Sequence, residues 1–328
     1  MTDGEDACNG EVVDVGNRGL RIGAIFIIMA AATFGVFAPI LLARQQKMHV
    51  PKFTFFICKY VGTGVIIGTA WMHLLDPAVD NLSDPCLAPR LGDYPWALCI
   101  SLITVMVMFF VELLAARVGG DDDGHSHSVG SDSDSDPTIG ALALKDYPPG
   151  GEDHLAHGHE HEDSDSHGGL AGQLTAIFIL EFGVVFHSVF IGLTLGTTDN
   201  LVVLLVVLIF HQMFEGLGLG SRLAMAPWPK NKGWLPYLLG FVFAISTPIG
   251  TAAGIAARPN NANTQKLVNG IFDSISAGIL MYTGLVELLA HEFMFNPHMR
   301  KAPLKIQLFA FGCVAFGVAV MALLAKWA

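Results

Sequence analysis

Polar and apolar positions in this chain segregate on a coarse scale: long apolar runs are separated by short polar breaks, without the period of a strand or of a surface helix. A helix needs about 20 apolar residues to cross a hydrocarbon core about 30 Å thick. Runs of that length occupy residues 20–43, 53–75, 96–117, 173–196, 201–222, 235–257, 268–291 and 305–326. Each predicts a membrane-spanning helix, and the Gly and Pro inside several of them are tolerated in that setting. The expected fold class is an all-α integral membrane protein with eight transmembrane helices.

One break is much longer than the others. Residues 119–169, GGDDDGHSHSVGSDSDSDPTIGALALKDYPPGGEDHLAHGHEHEDSDSHGG, are acidic and poor in apolar residues, a composition that predicts disorder. The expected organisation is a tail at 1–19, helices one to three at 20–117, a His/Asp-rich loop at 118–172, helices four and five at 173–222, and helices six to eight at 223–328. Seven of the 13 histidines fall in the loop: His125, His127, His154, His157, His159, His161 and His167. HxH spacings among carboxylates make a labile transition-metal site, so the loop reads as a metal buffer or sensor.

Composition strengthens the membrane assignment. Of 328 residues 52% are hydrophobic and 14% charged, with mean hydropathy +0.52, whereas soluble domains carry about a quarter charged residues. The acidic start MTDGEDACNGEVVD has no basic stretch leading into a cleavable apolar segment, so the first run is expected to be retained. The net charge of −11 comes largely from the tail and the long loop, and no basic patch suggests nucleic acid. With the termini outside, 12 of the 18 Lys and Arg fall on the cytoplasmic side. That distribution predicts extracytoplasmic termini and a cytoplasmic 118–172 loop. Cys8 and Cys86 then share an oxidising compartment and are disulfide candidates. The five cysteines contain no CxxC, which argues against a zinc knuckle or a thioredoxin-type site.

Three ionisable residues fall inside the fourth and fifth runs, where they are costly and mark ion paths by default. His187 lies nine residues before Gly196 and His211 ten after Leu201, with only TTDN between the two runs. At 1.5 Å per residue, both sit about 14–15 Å below one surface, on two helices forming a tight hairpin. Glu215 shares a face with His211 one turn away, and Ser188 and Gln212 stand beside the histidines. Two imidazoles and a carboxylate suit Zn²⁺ or Fe²⁺, and the lack of thiolate argues against Cu(I). A lone histidine would read as interhelical glue; two at one depth with a nearby Glu read as ligands. Gly183, Gly192, Gly196, Gly216, Gly218 and Gly220 predict close approach of helices four and five.

These residues give the chain a resemblance to the ZIP (Zrt/Irt-like) divalent metal transporters, and within them to fungal and plant zinc and iron uptake members. HSVFIGLTLG at 187–196 resembles the family's fourth-span signature and HQMFEGLGLG at 211–220 its fifth. The resemblance covers nearly the whole chain and implies a 3+2+3 arrangement, with spans one to three and six to eight related as an inverted pseudo-repeat. It implies a primary metal site at His187, His211 and Glu215, helped by Gln212 and Ser188. Some members place a Glu where this chain has Ile191 and a carboxylate where it has Gln212, so a mononuclear site is expected.

The family carries a metal-attracting pair in the region of TAWMHLLDPAVD, residues 69–80. The resemblance assigns His73, near the outer mouth, and Asp76 one turn beyond it, to the inlet path or the edge of the site. Asp80, Asp84 and Asp93 are expected to concentrate cations there. At the other ends of their spans, Glu112, Glu287 and His291 are candidates to line the exit, with interfacial glutamates paired to Arg117 or water as the alternative. Pro248 predicts a kink in span six.

The function expected is transport of Zn²⁺, and of Fe²⁺ with the same ligands, into the cytoplasm by alternating access across the plasma membrane. No enzyme activity and no cofactor beyond the transported ion are expected. An intramembrane zinc hydrolase is one alternative, although neither HSVFI nor HQMFE follows the HExxH pattern; a metal-sensing receptor is the other. Expected partners are the metal, the lipid bilayer, a second copy of the chain, and cytoplasmic regulators of the 118–172 loop.

Overall fold

The computed structural model describes residues 17–44, 52–120, 166–198, 200–257 and 262–327. Among them, eight helices are long and apolar enough to cross a membrane: α1 (Arg18–Arg44), α2 (Phe53–Leu82), α3 (Trp96–Leu114), α4 (Leu174–Thr197), α5 (Leu201–Met225), α6 (Lys230–Ala257), α7 (Asn263–Phe295) and α8 (Leu304–Trp327). The start of α1 and the end of α8 lie at one end of the bundle, here the termini end; the end of α3 and the start of α4 lie at the opposite, long-loop end.

Helix extends into both ends of the segment expected to be loop, because the helix containing α3 runs to Gly120 and the one containing α4 starts at Ser166. His167 is in that first turn; His125, His127, His154, His157, His159 and His161 lie outside the described residues, as does Cys8. Cys58, Cys99 and Cys313 are free thiols, while Cys86 is disulfide-bonded.

The sequence suggests a helix end before Pro77, yet α2 continues to Leu82. Residues Thr69–Leu75 widen into a π turn in which the Asp76 N–H reaches the Trp71 carbonyl. Pro77 then occupies the first turn of the α segment Asp76–Leu82, where its missing N–H costs little. π turns are rare and often accompany functional positions. This one lengthens α2 by seven residues, which moves His73 from the mouth into the bundle. A second π stretch, Thr283–Phe295, closes α7.

Helix packing follows a two-fold plan. α1 lies along α5 and α4 along α6; α2 lies along α8 and α3 along α7; α2 touches α5, and α7 touches α4. Exchanging α1 with α6, α2 with α7, α3 with α8 and α4 with α5 maps this set onto itself. The internal prolines Pro39 and Pro248, in α1 and α6, and the π turns of α2 and α7 obey the same exchange. This is the contact pattern of a 3+2+3 inverted repeat. Only 17% and 22% of the most apolar window of α3 and α8 is buried, against 50–56% for α2, α5, α6 and α7. α3 and α8 are therefore peripheral, with Leu102, Met106, Phe109, Phe311 and Phe316 directed outward.

The glycine stripes overturn the expected tight hairpin. α4 and α5 have little contact with each other and pack mainly on α6 and α1. A Cβ at Gly192 or Gly196 would strike the α6 backbone at Thr247 and Thr251; one at Gly216 or Gly220 would strike α1 at Gly35 and Val36; Gly218 meets Gly62 of α2, and Gly183 meets Ile279 of α7. Small residues let backbones approach, but the backbones approached belong to other helices. Arg21 of α1, buried at 2% exposure, donates to the carbonyls of Leu195 at 3.3 Å, Gly196 at 3.1 Å and Thr198 at 2.6 Å. A cation thus satisfies the orphan carbonyls ending α4.

Candidate metal centre

α4 and α5 meet where their histidines face each other. His187 Nε2 lies 3.4 Å from His211 Nε2, and His211 Nε2 lies 3.3 Å from Glu215 Oε1. One ligand atom from each of the three falls within 4.8 Å of the others, and no side chain of the trio is more than 1% exposed. Tetrahedral Zn²⁺ with bonds of about 2.0–2.1 Å holds adjacent ligand atoms about 3.3–3.4 Å apart. The two closest separations match that spacing, so a metal fits with little rearrangement.

The polar bookkeeping points the same way. Among the described residues, seven of the thirteen buried side-chain N and O atoms that lack a hydrogen-bond partner belong to this neighbourhood: Nδ1 of His73, His187 and His211, Ser188 Oγ, Gln212 Oε1 and both oxygens of Glu215. Buried polar atoms are normally paired. A cation held between the two Nε2 atoms satisfies the acceptors among them, the Glu215 oxygens, Gln212 Oε1 and Ser188 Oγ, while the Nδ1 atoms of His187 and His211 keep their rings' protons.

The remaining predicted residues are placed as follows. Gln212 donates through Nε2 to Thr247 Oγ1 of α6, so its amide is oriented by the α6 neighbour while Oε1 stays free. Ser188 is fully buried. The Thr69 hydroxyl of α2 stands next to the Glu215 carboxylate. Ile191 packs against the apolar cluster of Ala24, Ile28, Leu195 and Leu205. His73 is not at an outer mouth: it is 6% exposed, with its ring edge-on to that of His211, centroids 5.0 Å apart. Its Nε2 lies 2.9 Å from the Met321 carbonyl; a carbonyl only accepts, so Nε2 carries the proton and Nδ1 is the basic nitrogen. Asp76 is exposed on the next turn. Asp84 is not free to attract cations, because it pairs with Lys266 and accepts from the Cys86 N–H at 2.9 Å. These partners hold its carboxyl below the usual aspartate value. Glu112 accepts from the Tyr282 hydroxyl, with Glu287 beside it, and His291 is exposed. The Arg117 side chain lies outside the described residues.

Sequence reasoning missed several buried polar groups. Glu181 of α4 is 4% exposed, with both oxygens unpartnered; Asn269 of α7 faces α4 at Thr194, and the half-buried Asp273 follows it by one turn. Each is a polar residue inside an apolar run, the signal that exposed His187. A further overlooked signal is the pattern H-x-x-F-x-G-L-x-L-G, shared by residues 187–196 and 211–220. It makes His187 and His211 mates under the exchange of α4 with α5.

The ZIP zinc transporter family matches residues 18–325, which span all eight helices. The chain belongs to this family. Zinc-regulated transporter 2 of Saccharomyces cerevisiae is 36% identical to it, over 99% of this chain and 98% of that protein. Zinc-regulated transporter 1 of Schizosaccharomyces pombe is 37% identical over 100% and 89%, and probable zinc transporter 8 of Arabidopsis thaliana 32% over 94% and 86%. No solved structure matches the chain. The ZIP family is one of transporters, not enzymes, and this member is a multi-pass, all-α membrane protein.

Proposed function

We propose that this ZIP family member carries Zn²⁺, and Fe²⁺ by the same ligands, across the plasma membrane into the cytoplasm through the His187, His211 and Glu215 cluster. The convergence of three ligand atoms at zinc-like spacing carries this reading, and the zinc transport named in the relatives supports it. One metal is bound at a time, since Ile191 gives α4 no second carboxylate beside the site. Gln212 Oε1 and Ser188 Oγ adjust around it as further oxygen donors. The Lys and Arg distribution favours an extracytoplasmic termini end. The His-rich 118–172 loop then receives metal on the cytoplasmic side, and Cys86 is tied to Cys8 outside.

The packing favours a particular division for alternating access. α1, α4, α5 and α6 form one block, joined by glycine-mediated backbone contacts, and α2, α3, α7 and α8 form another. The metal ligands belong to the first block and His73 to the second. Sliding one block against the other exposes the cluster to alternate sides, and Gly62 against Gly218 gives the interface a smooth crossing. The moving unit then comprises four helices. Flux of radiolabelled Zn²⁺ into proteoliposomes, with Fe²⁺ as competitor, tests the reading: His187→Ala and Glu215→Ala should abolish uptake. Wild-type vesicles that bind Zn²⁺ without accumulating it would instead support a receptor.

A further inference from the structure

The antiparallel register of α7 on α4 places a second set of donors outward of the metal cluster. Gln265 Nε2 donates to Thr197 Oγ1 at 2.6 Å and Asn269 Nδ2 to Thr194 Oγ1 at 3.2 Å. Phe272 stacks on Phe190 with centroids 4.2 Å apart, and Gly183 abuts Ile279. Continuing that register sets Ser276 level with His187, and Asp273 three residues nearer the termini end, about 4–5 Å of helical rise. On the other side of α7, Gly270 abuts Leu82 and Gly284 abuts Ile67 of α2. At 100° per residue Asp273 falls between the α4-facing and α2-facing stripes, at the junction of three helices.

Asn269 supplies an independent sign of a ligand. It is 7% exposed, and its Oδ1 has no partner. The assignment of N and O is forced: Thr194 spends its hydroxyl proton on the Phe190 carbonyl at 3.2 Å. The Asn269 atom facing Thr194 must therefore be the donor, which leaves the carbonyl oxygen unsatisfied. Asp273 is half-buried and takes part in none of the ion pairs among the described residues. Lys266, two turns outward on α7, is held by Asp84.

We infer that Asp273 and Asn269 form a transient way station for a partly hydrated divalent cation, on the path from the termini end to the His187, His211 and Glu215 cluster. This rests on the transport reading above and adds a site to it. Carboxylate and amide oxygens bind hydrated divalent cations without strong selection among them. The station captures metal, and the imidazoles one turn deeper take it over by shedding water. Its position places Asp273 on the second block, so it feeds the cluster carried by the first.

Two assays on the full chain test the station separately from transport. In proteoliposomes, Asp273→Asn should raise the half-saturating Zn²⁺ concentration about tenfold with little change in saturating rate, while Asp273→Glu should retain wild-type behaviour. By equilibrium dialysis with radiolabelled Zn²⁺, on chains in which the seven loop histidines are replaced by glutamine, the His187→Ala/His211→Ala protein should keep one weaker site, abolished by adding Asp273→Asn or Asn269→Ala. An unchanged half-saturation in Asp273→Asn, or no residual site in the double variant, overturns the station. Loss of the tight site in Asp273→Asn also overturns it, by making Asp273 part of the primary centre. The dialysis arm decides the station even if the wild-type chain moves no metal, an outcome that would sink the transport reading alone.

Discussion

Two polar clusters inside this bundle are built in opposite ways. At the long-loop end, Lys59 of α2 pairs with Glu292 of α7, whose Oε2 also accepts from Tyr60 and Asn296 at 3.4 Å each, while Arg222 of α5 donates to Thr63 at 2.6 Å. At the centre, His187, His211 and Glu215 converge with no Lys or Arg paired to the carboxylate among the described residues. The first cluster holds α2, α5 and α7 to one another with opposite charges in place. The second is a deficit waiting for a cation. A formed Lys–carboxylate pair, more than the presence of charge, separates the structural polar cluster from the binding one in this membrane protein.

The sharpest way to break that contrast is to remove one carboxylate from each cluster. Glu215→Ala should reduce Zn²⁺ uptake by at least about 100-fold, yet change thermal unfolding of the metal-free protein less than Glu292→Ala does, because no Lys or Arg is paired with its carboxylate. Glu292→Ala should do the reverse: transport survives, and stability falls by about 1–3 kcal/mol, since Lys59 loses its partner at a partly buried site. Uptake and unfolding measured on both variants check this; parallel losses in both assays for both variants would show that the clusters are alike.

Next in size come the glycines that lock each block. Gly192→Ala places a methyl against the Thr247 carbonyl and should cost about 1–3 kcal/mol by overpacking. Gly312→Ala, which meets nothing within 4 Å, should leave the unfolding midpoint within error of wild type. Equal midpoints for the two variants would contradict the packing of α4 on α6.

The smallest effect expected is on pH. Metal binding to imidazole displaces protons, so uptake at fixed membrane potential should fall a few-fold between about pH 7 and 5.5. The Asp84–Lys266 pair at the termini end should not respond in that range. The Asp84 carboxyl is depressed, so its stabilising contribution is complete above the unfolded aspartate value of about 3.9 and is lost only as pH falls below it. Uptake rising steadily from pH 7 to 5.5 would rule out proton competition at the histidines.

Much of the site was legible from spacing alone, since helical rise and a four-residue turn fix the relative depth of His187 and His211 whatever the helices pack against. Glu215 followed from its i+4 relation to His211. Of the two places expected for His73, the structure gives the edge of the site and not the outer mouth, because a π turn changes where a helix ends and local preference around Pro77 does not reveal it. The role of the glycines was misread for a related reason: a stripe of small residues announces a close neighbour but not which one. Asp273 and Glu181 were visible as polar residues in apolar runs but carried no spacing that linked them to the histidines.

By itself the sequence determined the eight spans, the matched depth of the two imidazoles and the family signatures, because hydropathy and helical geometry act along the chain. Tertiary structure alone decided that α4 and α5 part company to pack on α6 and α1, and that His73 stands beside His211. It alone decided that Asp84 is neutralised by Lys266. Those outcomes depend on which backbones approach across the bundle, and in lipid that choice is made by close packing and interhelical hydrogen bonds between segments far apart in sequence.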